Sequence, residues 1–114
     1  MKVVFYINKR APVVDFILEQ PLPEQAKIDA CIKGITDHGL EKSRAELRHI
    51  SGKLWEIKIR GEDSAYRIFY VCLKKDVMVL LHAYKKKSQK APTKEIVIAL
   101  RRMKEVLEDE SVYI

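Results

Sequence analysis

The chain has 114 residues and a formal net charge of +6 at neutral pH. This length suits one compact domain, and hydrophobic residues make up 47% of it, which is enough to form a core. With only 4 Gly and 4 Pro, the composition excludes a fibrous or low-complexity chain. The apolar runs are far shorter than the roughly 20 residues that cross a bilayer, and the first residues lack the apolar core of a signal peptide. We therefore expect one soluble, cytoplasmic domain spanning residues 1–114, with no membrane partner.

The cysteines and histidines are too few and too scattered for a disulfide framework or a structural zinc site. Cys31 and Cys72 lie in segments with the pattern of a helix face and a strand, where a thiol acts as a small hydrophobe. The three histidines have no Cys or His partner at the spacing of metal ligands. We therefore predict no metal and no cofactor.

The first part of the chain predicts one strand followed by a pair of helices. The short, β-branched segment Lys2–Ile7 favours a strand. After Pro12, apolar residues recur at helical spacing until two prolines end this helix near residue 20. A second helix is expected from about residue 23, with its apolar face formed by Ile28, Cys31, Ile32 and Ile35. Gly39 followed by Leu40 has the pattern of a left-handed helix C-cap.

The second part predicts a meander of three strands and a terminal helix. We expect the polar segment Leu40–Lys53 to be a loop with at most one helical turn. Period-two alternation then predicts three strands, Leu54–Arg60, Ala65–Leu73 and Val77–Lys85, which their short connections make antiparallel. After Pro92 and the expected N-cap Thr93, one face of a helix is formed by Ile96, Val97, Leu100, Met103 and Leu107. The order of N-terminal strand, two-helix hairpin, three-stranded meander and C-terminal helix predicts an α+β fold with its helices on one side of the sheet.

The positive charge is concentrated in the second half of the chain. Between His82 and Lys104, eight Lys or Arg residues accompany a single acid, Glu95. Such a patch suits a polyanionic partner. The alternative is a solvated helix face next to a lysine-rich loop.

Alternation also places three charged residues on one face of the first meander strand. The core-facing positions are Trp55, Ile57 and Ile59, and the opposite positions are Glu56, Lys58 and Arg60. A charged outer face is ordinary on an antiparallel sheet. Arg67, in contrast, lies among apolar residues in the next strand and needs a partner. That partner is either Glu56, in a structural ion pair, or a phosphate, which Arg binds bidentately.

The third meander strand continues directly into the lysine-rich segment. We expect the basic residues of the three strands to surround one concavity that binds RNA phosphates, with Tyr84 or Tyr70 stacking a base. His82 is either a hydrogen-bonded structural histidine or an acid or base, and its parity with Met78 and Leu80 places it in the core. The sequence has no Gly-rich phosphate loop and no serine-hydrolase motif.

The stretch LWEIKIRGEDSAYRIFYV, followed by VLLHAYKKKSQKAPTKEIVIALRRMKE, resembles the RelE/HigB superfamily of bacterial toxins, in particular its phage-derived HigB-like branch. The resemblance covers Leu54 to about Lys104. It implies the toxin of a type II toxin–antitoxin system, an endoribonuclease that cleaves mRNA on the ribosome and contacts rRNA. It also implies a cognate antitoxin, often a helix-turn-helix protein. In this family the ribose 2′-OH attacks the adjacent phosphate while basic residues stabilise the developing charge.

The resemblance further implies roles for individual residues. The expected catalytic residues are Lys58, Arg60, Arg67 and Lys86, with Arg67 holding the scissile phosphate. The expected RNA contacts are Tyr84, Lys85, Lys87 and Lys90. The general acid or base stays open among Glu56, His82, Tyr84 and Tyr113.

Two other functions are consistent with the same basic residues. One is a non-catalytic module that binds RNA or the ribosome, and the other is an interaction protein whose basic groove seats an acidic or helical partner. The variant Arg67→Ala separates the first of these from the nuclease. A nuclease would lose cleavage with only partial loss of binding, whereas a binding module would lose salt-dependent affinity.

Overall fold

The computed structural model describes residues 1–86 and 92–114. In these ranges the chain forms β1 (Lys2–Phe5), α1 (Pro12–Leu18), α2 (Leu22–Lys42), β2 (Glu46–Ser51), β3 (Leu54–Arg60), β4 (Ala65–Leu73), β5 (Val77–Lys86), α3 (Thr93–Glu108) and a short 3-10 turn (Glu110–Val112). The predicted α+β class is confirmed. None of the helices in these ranges has the length and hydropathy that a membrane span needs.

The strands form one sheet in the order β1-β5-β4-β3-β2. The predicted meander is confirmed, since β3, β4 and β5 are antiparallel neighbours and only β5 extends one residue further than expected. β1 ends at Phe5, before the expected Ile7, and lies parallel to β5 with Lys2 opposite Val77. The sheet edges are therefore formed by β1 and β2.

Strand β2 occupies a segment that the sequence predicted as a loop, and that prediction is wrong. Leu47 faces Ile57 on β3, but the pairing shifts between His49 and Ser51, so Ile50 is an extra residue in the strand. Leu47 and Ile50 pack into different core clusters on the two faces of the sheet. Leu47 and Ile50 are three positions apart and lie on opposite faces, so neither face of β2 has the repeated apolar residues that predict a strand.

Helices cover both faces of the sheet, so the expectation that they lie on one side is also wrong. On one face, which we call the α2 face, Val13 and Ile17 of α1 and Ile28 and Ile35 of α2 pack on residues that include Ile68. On the other, which we call the α3 face, the buried residues Ala99 and Val106 of α3 pack in one core with Phe69, Val71 and Leu81. Coverage on both faces explains why β4 and β5 are apolar at nearly every position.

The helix ends depart in small ways from the predicted caps. Gly39 has the expected positive φ of 80°, but the chain resumes a helical turn and α2 continues to Lys42. Thr93 is the first residue of α3 rather than its N-cap, and its side chain makes no capping hydrogen bond. On α3, Val97 and Leu100 were predicted to face the core and are instead exposed.

Trp55 lies on the predicted side of the sheet, but its side chain is less buried than predicted. It lies at the margin of the α2 face, where 38% of it is exposed and its ring meets His49 edge-to-face at 5.1 Å between centroids. Beside it, a cavity of about 430 Å³ is lined by residues that include Leu47 and Cys72. The Trp55 ring forms part of the wall of this cavity.

Candidate functional site

A bulge in β5 decides which side chains share the α3 face. Phe69 lies opposite His82, whereas Tyr70 lies opposite Leu80, so Leu81 is an extra residue in the strand. The extra residue moves His82 onto the α3 face, where it contacts α3. The expectation that His82 shares the core with Leu80 is therefore wrong, because a bulge reverses the parity of every residue after it.

Beyond this bulge, three rows of residues cross β3, β4 and β5 on the α3 face. The rows are Glu56 with Phe69 and His82, Lys58 with Arg67 and Tyr84, and Arg60 with Ala65 and Lys86. Side chains directly opposite each other on neighbouring strands have Cβ atoms about 5 Å apart. The rows bring together all four predicted catalytic residues, Lys58, Arg60, Arg67 and Lys86, which we call the cationic cluster. Their catalytic roles stay predictions.

Arg67 and Glu56 form a buried ion pair at the centre of these rows. Arg67 Nη1 lies 2.6 Å from Glu56 Oε1, and only 10% and 3% of the two side chains are exposed. The structural ion pair considered from the sequence is thus confirmed, and Glu56 is not part of an ordinary solvated face. Arg67 Nε is also buried and has no hydrogen-bond partner among the described residues. A guanidinium has five N–H donors, so Arg67 keeps donors beyond the one that binds Glu56.

Tyr84 completes this group from β5. Its hydroxyl donates to Glu56 Oε2 at 3.4 Å, and its ring stacks on Phe69 with 5.6 Å between centroids. Burial, and next the negative charge of Glu56, raise the pKa of Tyr84 to about 12. The hydroxyl is therefore protonated at neutral pH and acts as a hydrogen-bond donor. Because the ring is largely buried against Phe69, the predicted stacking on an RNA base has little ring surface available.

The other members of the cationic cluster are more open to solvent. Lys58 is partly exposed beside Arg67, and Lys86 is partly exposed at the end of β5. Arg60 forms an ion pair with Glu46 of β2, with 3.0 Å between Nε and Oε1, and both side chains are well exposed. An exposed ion pair is weak in water, so Arg60 can exchange Glu46 for a phosphate at small cost.

Not all predicted RNA contacts reach this face. The side chain of Lys85 turns to the α2 face, where its Nζ lies 5.8 Å from the centre of the Tyr66 ring. Lys87 and Lys90 lie outside the described residues. Tyr70 is buried on the α2 face with 2% exposure, so the expectation that it stacks a base is wrong.

His82 is fully engaged by two residues of α3. Its Nε2 lies 2.6 Å from Glu95 Oε2, and Arg102 Nη1 lies 3.2 Å from its Nδ1. Because arginine only donates hydrogen bonds, Nδ1 is the acceptor and Nε2 carries the proton toward Glu95. Burial lowers the pKa of His82, which favours the neutral ring. His82 thus joins β5 to α3 as a hydrogen-bonded structural histidine.

Sequence reasoning missed both partners of His82. The one indication for Glu95 was its position as the single acid of a strongly basic segment. Nothing in the sequence separated Arg102 from its basic neighbours. Arg102 also donates to the Leu81 carbonyl oxygen at 3.0 Å, which fixes the residue that forms the bulge.

The hydroxyl of Tyr113 is bound to the segment after β1. It accepts a hydrogen bond from the Ile7 amide at 3.2 Å and donates one to the Ile7 carbonyl oxygen at 3.3 Å. These bonds join the end of the chain to the segment after β1. Tyr113 is therefore a structural residue, and the acid and base candidates on the α3 face are reduced to Glu56 and Tyr84.

The α+β arrangement of a five-stranded sheet covered by helices is consistent with a RelE-like fold. Residues 15–104 match the family described as Phage derived protein Gp49-like, and the chain belongs to this RelE/HigB-like toxin family. The matched range includes the whole cationic cluster. No curated protein matches the chain. Membership of a toxin–antitoxin family implies an antitoxin partner.

Proposed function

We propose that the protein is the toxin of a type II toxin–antitoxin system, a HigB-like endoribonuclease that cleaves mRNA on the ribosome in the cytoplasm. The observation that supports this function best is the grouping of the cationic cluster on one face of the sheet, around Glu56 and Tyr84. The partner that neutralises it is a cognate antitoxin, a helix-turn-helix protein in this proposal. Contacts with rRNA come from the surrounding lysines.

In the proposed reaction the ribose 2′-oxygen attacks the adjacent phosphorus as the bond from phosphorus to the 5′-oxygen breaks. The products are a 2′,3′-cyclic phosphate and a free 5′-hydroxyl. The guanidinium of Arg67, with Lys58 on β3 and Lys86 on β5, stabilises the negative charge on the non-bridging oxygens. No metal enters this proposal.

Proton transfer is assigned to the two residues that remain on the α3 face. Glu56 takes the proton of the 2′-hydroxyl, and Tyr84, which stays protonated at neutral pH, gives one to the leaving 5′-oxygen. The hydrogen bond between Tyr84 and Glu56 then returns the proton to the tyrosine. His82 is left out because both of its ring nitrogens are already bound within the protein.

The test is 5′-end mapping of a defined mRNA in a reconstituted translation system. The wild type, Arg67→Ala, Arg67→Lys and the control Lys33→Ala are compared with and without ribosomes. Lys33 is exposed on α2, so its removal matches the charge change of Arg67→Ala away from the cluster. We expect cuts within A-site codons for the wild type and the control only, and only with ribosomes. Arg67→Lys keeps a cation beside Glu56, so it separates loss of folding from loss of phosphate binding.

One observation favours a second candidate, a non-catalytic RNA- or ribosome-binding module. Arg67, the expected phosphate ligand, is already paired with Glu56 and almost fully buried. In this case the same experiment gives an intact transcript under all conditions, while salt-sensitive ribosome binding persists. That result would reject the enzyme and retain the basic binding surface.

A further inference from the structure

A polar cavity lies next to Arg102, on the side that faces away from His82. A second group of basic residues lines this cavity. The cavity has a volume of about 350 Å³ and is formed between the segment after β1, the start of α1 and the outer side of α3. Its charged lining consists of Arg10, Arg101, Arg102 and Glu105. None of these residues belongs to the cationic cluster.

The backbone before α1 holds Arg10 at this cavity. Lys9 adopts a positive φ of 62°, which is uncommon for a residue with a Cβ atom. The turn is closed by the Asn8 amide, which donates to the Arg10 carbonyl oxygen at 2.9 Å. Asn8 and Arg10 thus form an isolated bridge that places both residues in the cavity wall. Arg10 is positioned by a defined turn rather than by a free loop.

The positive charges of the cavity are poorly balanced within the protein. In residues 1–86 and 92–114, no ion pair within 4.0 Å includes Arg10, Arg101 or Arg102. Arg102 instead binds His82 and the Leu81 carbonyl oxygen, and its guanidinium lies 5.3 Å from the centre of the Tyr6 ring. Burial lowers the pKa of Arg102, and the charge of Arg101 also lowers it, while the charges of Glu105 and Glu95 act in the opposite direction. The repulsion between neighbouring arginines would be relieved by a bound anion.

The one acid of the cavity is also engaged. Glu105 accepts a hydrogen bond from the Tyr6 hydroxyl, and this contact fixes the carboxylate at the base of the cavity beside the ring. Three arginines therefore face one carboxylate. The remaining positive charge attracts an anion such as a phosphate, which arginine binds in a bidentate geometry.

The positive charge continues beyond the cavity along α3. Lys94, Arg101 and Lys104 are exposed and lie on one side of the helix, which also carries the exposed acids Glu105 and Glu108. Lys94 and Arg101 are about 10 Å apart along the helix axis. A free phosphate would occupy only the cavity, whereas a linear polyanion would follow the whole row. The choice of a nucleic-acid strand rather than a free phosphate follows from the proposed function, in which RNA is the substrate.

We propose that the cavity lined by Arg10, Arg101 and Arg102 binds a backbone phosphate of single-stranded RNA, at a site separate from the cationic cluster. This inference rests on the proposed function, because an RNA substrate or rRNA would supply the strand. The site would hold the RNA by its backbone, without reading its bases.

The experiment measures binding of a fluorescein-labelled oligouridine by fluorescence anisotropy at a series of salt concentrations. The variant Arg10→Ala/Arg101→Ala is compared with the wild type and with Lys53→Ala/Lys75→Ala. The control pair removes the same charge from two exposed lysines that line cavities next to Cys72 on the α2 face. Circular dichroism checks the fold, and Arg10→Gln/Arg101→Gln replaces the first variant if it is unfolded.

We expect the arginine variant to bind the RNA about ten-fold more weakly than the control at moderate salt. The slope of log K against log salt should fall by roughly 0.7 for each phosphate that the variant no longer binds. The proposal is overturned if the arginine variant and the control have the same affinity and slope. It is also overturned if the variant loses only binding of inorganic phosphate, or only binding of polyglutamate, since these results would assign the cavity to a free anion or to an acidic protein.

Failure of this inference is distinguishable from failure of the proposed function. Cleavage of mRNA by the wild type tests the proposed function by itself, and comparison of RNA binding by the arginine variant and the control tests the cavity. If the wild type cleaves mRNA and the arginine variant binds RNA as the control does, only the cavity assignment is wrong. If the wild type neither cleaves mRNA nor binds the oligouridine, both the proposed function and the cavity assignment are wrong.

Discussion

The ion pair of Arg67 with Glu56 differs from that of Arg60 with Glu46 mainly in its exposure to water. In the first pair the side chains are 10% and 3% exposed, and in the second they are 73% and 49% exposed. Both ions of the buried pair have lost their hydration, so each depends on the other. Exposed ions lose little when a partner is removed, because water and salt screen them.

We predict that Glu56→Gln destabilises the protein by about 3 kcal/mol, because it leaves the charge of Arg67 buried without a counter-ion. The matched control is Glu46→Gln, which makes the same chemical change in the exposed pair and should give no resolvable difference. Urea unfolding at neutral pH measures both free energies. Equal stability of the two variants would contradict the assigned importance of burial.

His82 connects stability to pH. Its pKa in the folded protein is lower than its ordinary value near 6.5, chiefly because of burial. Below about pH 6.5 the unfolded chain therefore takes up a proton before the folded chain does. The free energy of unfolding should fall as the pH falls from about 6.5 toward the folded pKa, and it should be unaffected by His82 above that window.

The variant His82→Gln tests this link. Between about pH 7 and pH 5, the wild type should lose more stability than the variant, because the variant lacks the titrating ring. Urea unfolding at several pH values gives the two slopes, and carboxylates contribute to both of them alike. Parallel slopes for the wild type and the variant would show that His82 does not titrate differently on folding.

At the scale of elements, the sequence predicted regular strands well and bulged strands poorly. The bounds of β3 and β4 were predicted to the residue, because their alternation is continuous. β2 was missed because it has one strongly apolar residue on each face, Leu47 and Ile50, and the face of His82 was misassigned because Leu81 is extra in β5. A bulge changes parity without changing composition, so a single sequence does not reveal it.

The connection between β3 and β4 depends on a close approach at Gly61. A Cβ atom at this position would lie 2.5 Å from Glu24 Oε1 and 2.9 Å from the Ser64 carbonyl oxygen. The same Glu24 oxygen accepts hydrogen bonds from the Glu62 amide and the Tyr66 hydroxyl, which attach α2 to this connection. The space at Gly61 is therefore needed for the contact between a helix and the sheet.

We predict that Gly61→Ala lowers the free energy of unfolding by about 2 kcal/mol, because the methyl group displaces Glu24 and strains the connection. Gly34→Ala is the matched control. Gly34 lies inside α2, and its Cβ would come no closer than 3.9 Å to the Ser43 carbonyl oxygen, so the change should stabilise the helix by roughly 0.5–1 kcal/mol. Thermal unfolding followed by circular dichroism should shift the midpoints in opposite directions, and a shift in the same direction would refute the steric role of Gly61.

At the scale of the whole molecule, the candidate site depends on a sheet covered on both faces. The sequence predicted correctly that Lys58, Arg60 and Arg67 share a face, because these residues follow regular alternation, but Lys85 lies on the α2 face. It did not predict that α3 covers that face. The amphipathic pattern of a helix shows that the helix packs on other elements, but it does not show which face of a sheet the helix covers. Because α3 lies on that face, its residues Glu95 and Arg102 bind His82.

The two ends of the described chain meet at Tyr113, which contacts the backbone of Ile7 and packs into the core of the α3 face. We predict that Tyr113→Ala costs about 2 kcal/mol, because it removes a buried ring and two hydrogen bonds. Ile114→Ala removes an exposed neighbour and should leave stability unchanged. Urea unfolding compares the two variants, and similar midpoints would exclude a stabilising role for the contact.

The parallel pairing of β1 with β5 has a consequence for the order of folding. Lys2 and Val77 are far apart in the sequence, so they pair only after most of the chain between them has folded. In contrast, β3, β4 and β5 are joined by short turns. Closing a long loop costs more entropy than closing a short turn, so the meander is expected to form first and β1 to join it late. The residues of the cationic cluster all belong to the meander, so the strands of the candidate site are paired before the sheet is complete. The first residues of the chain are then the last to be fixed, and the cavity at Arg10 forms only in that final step.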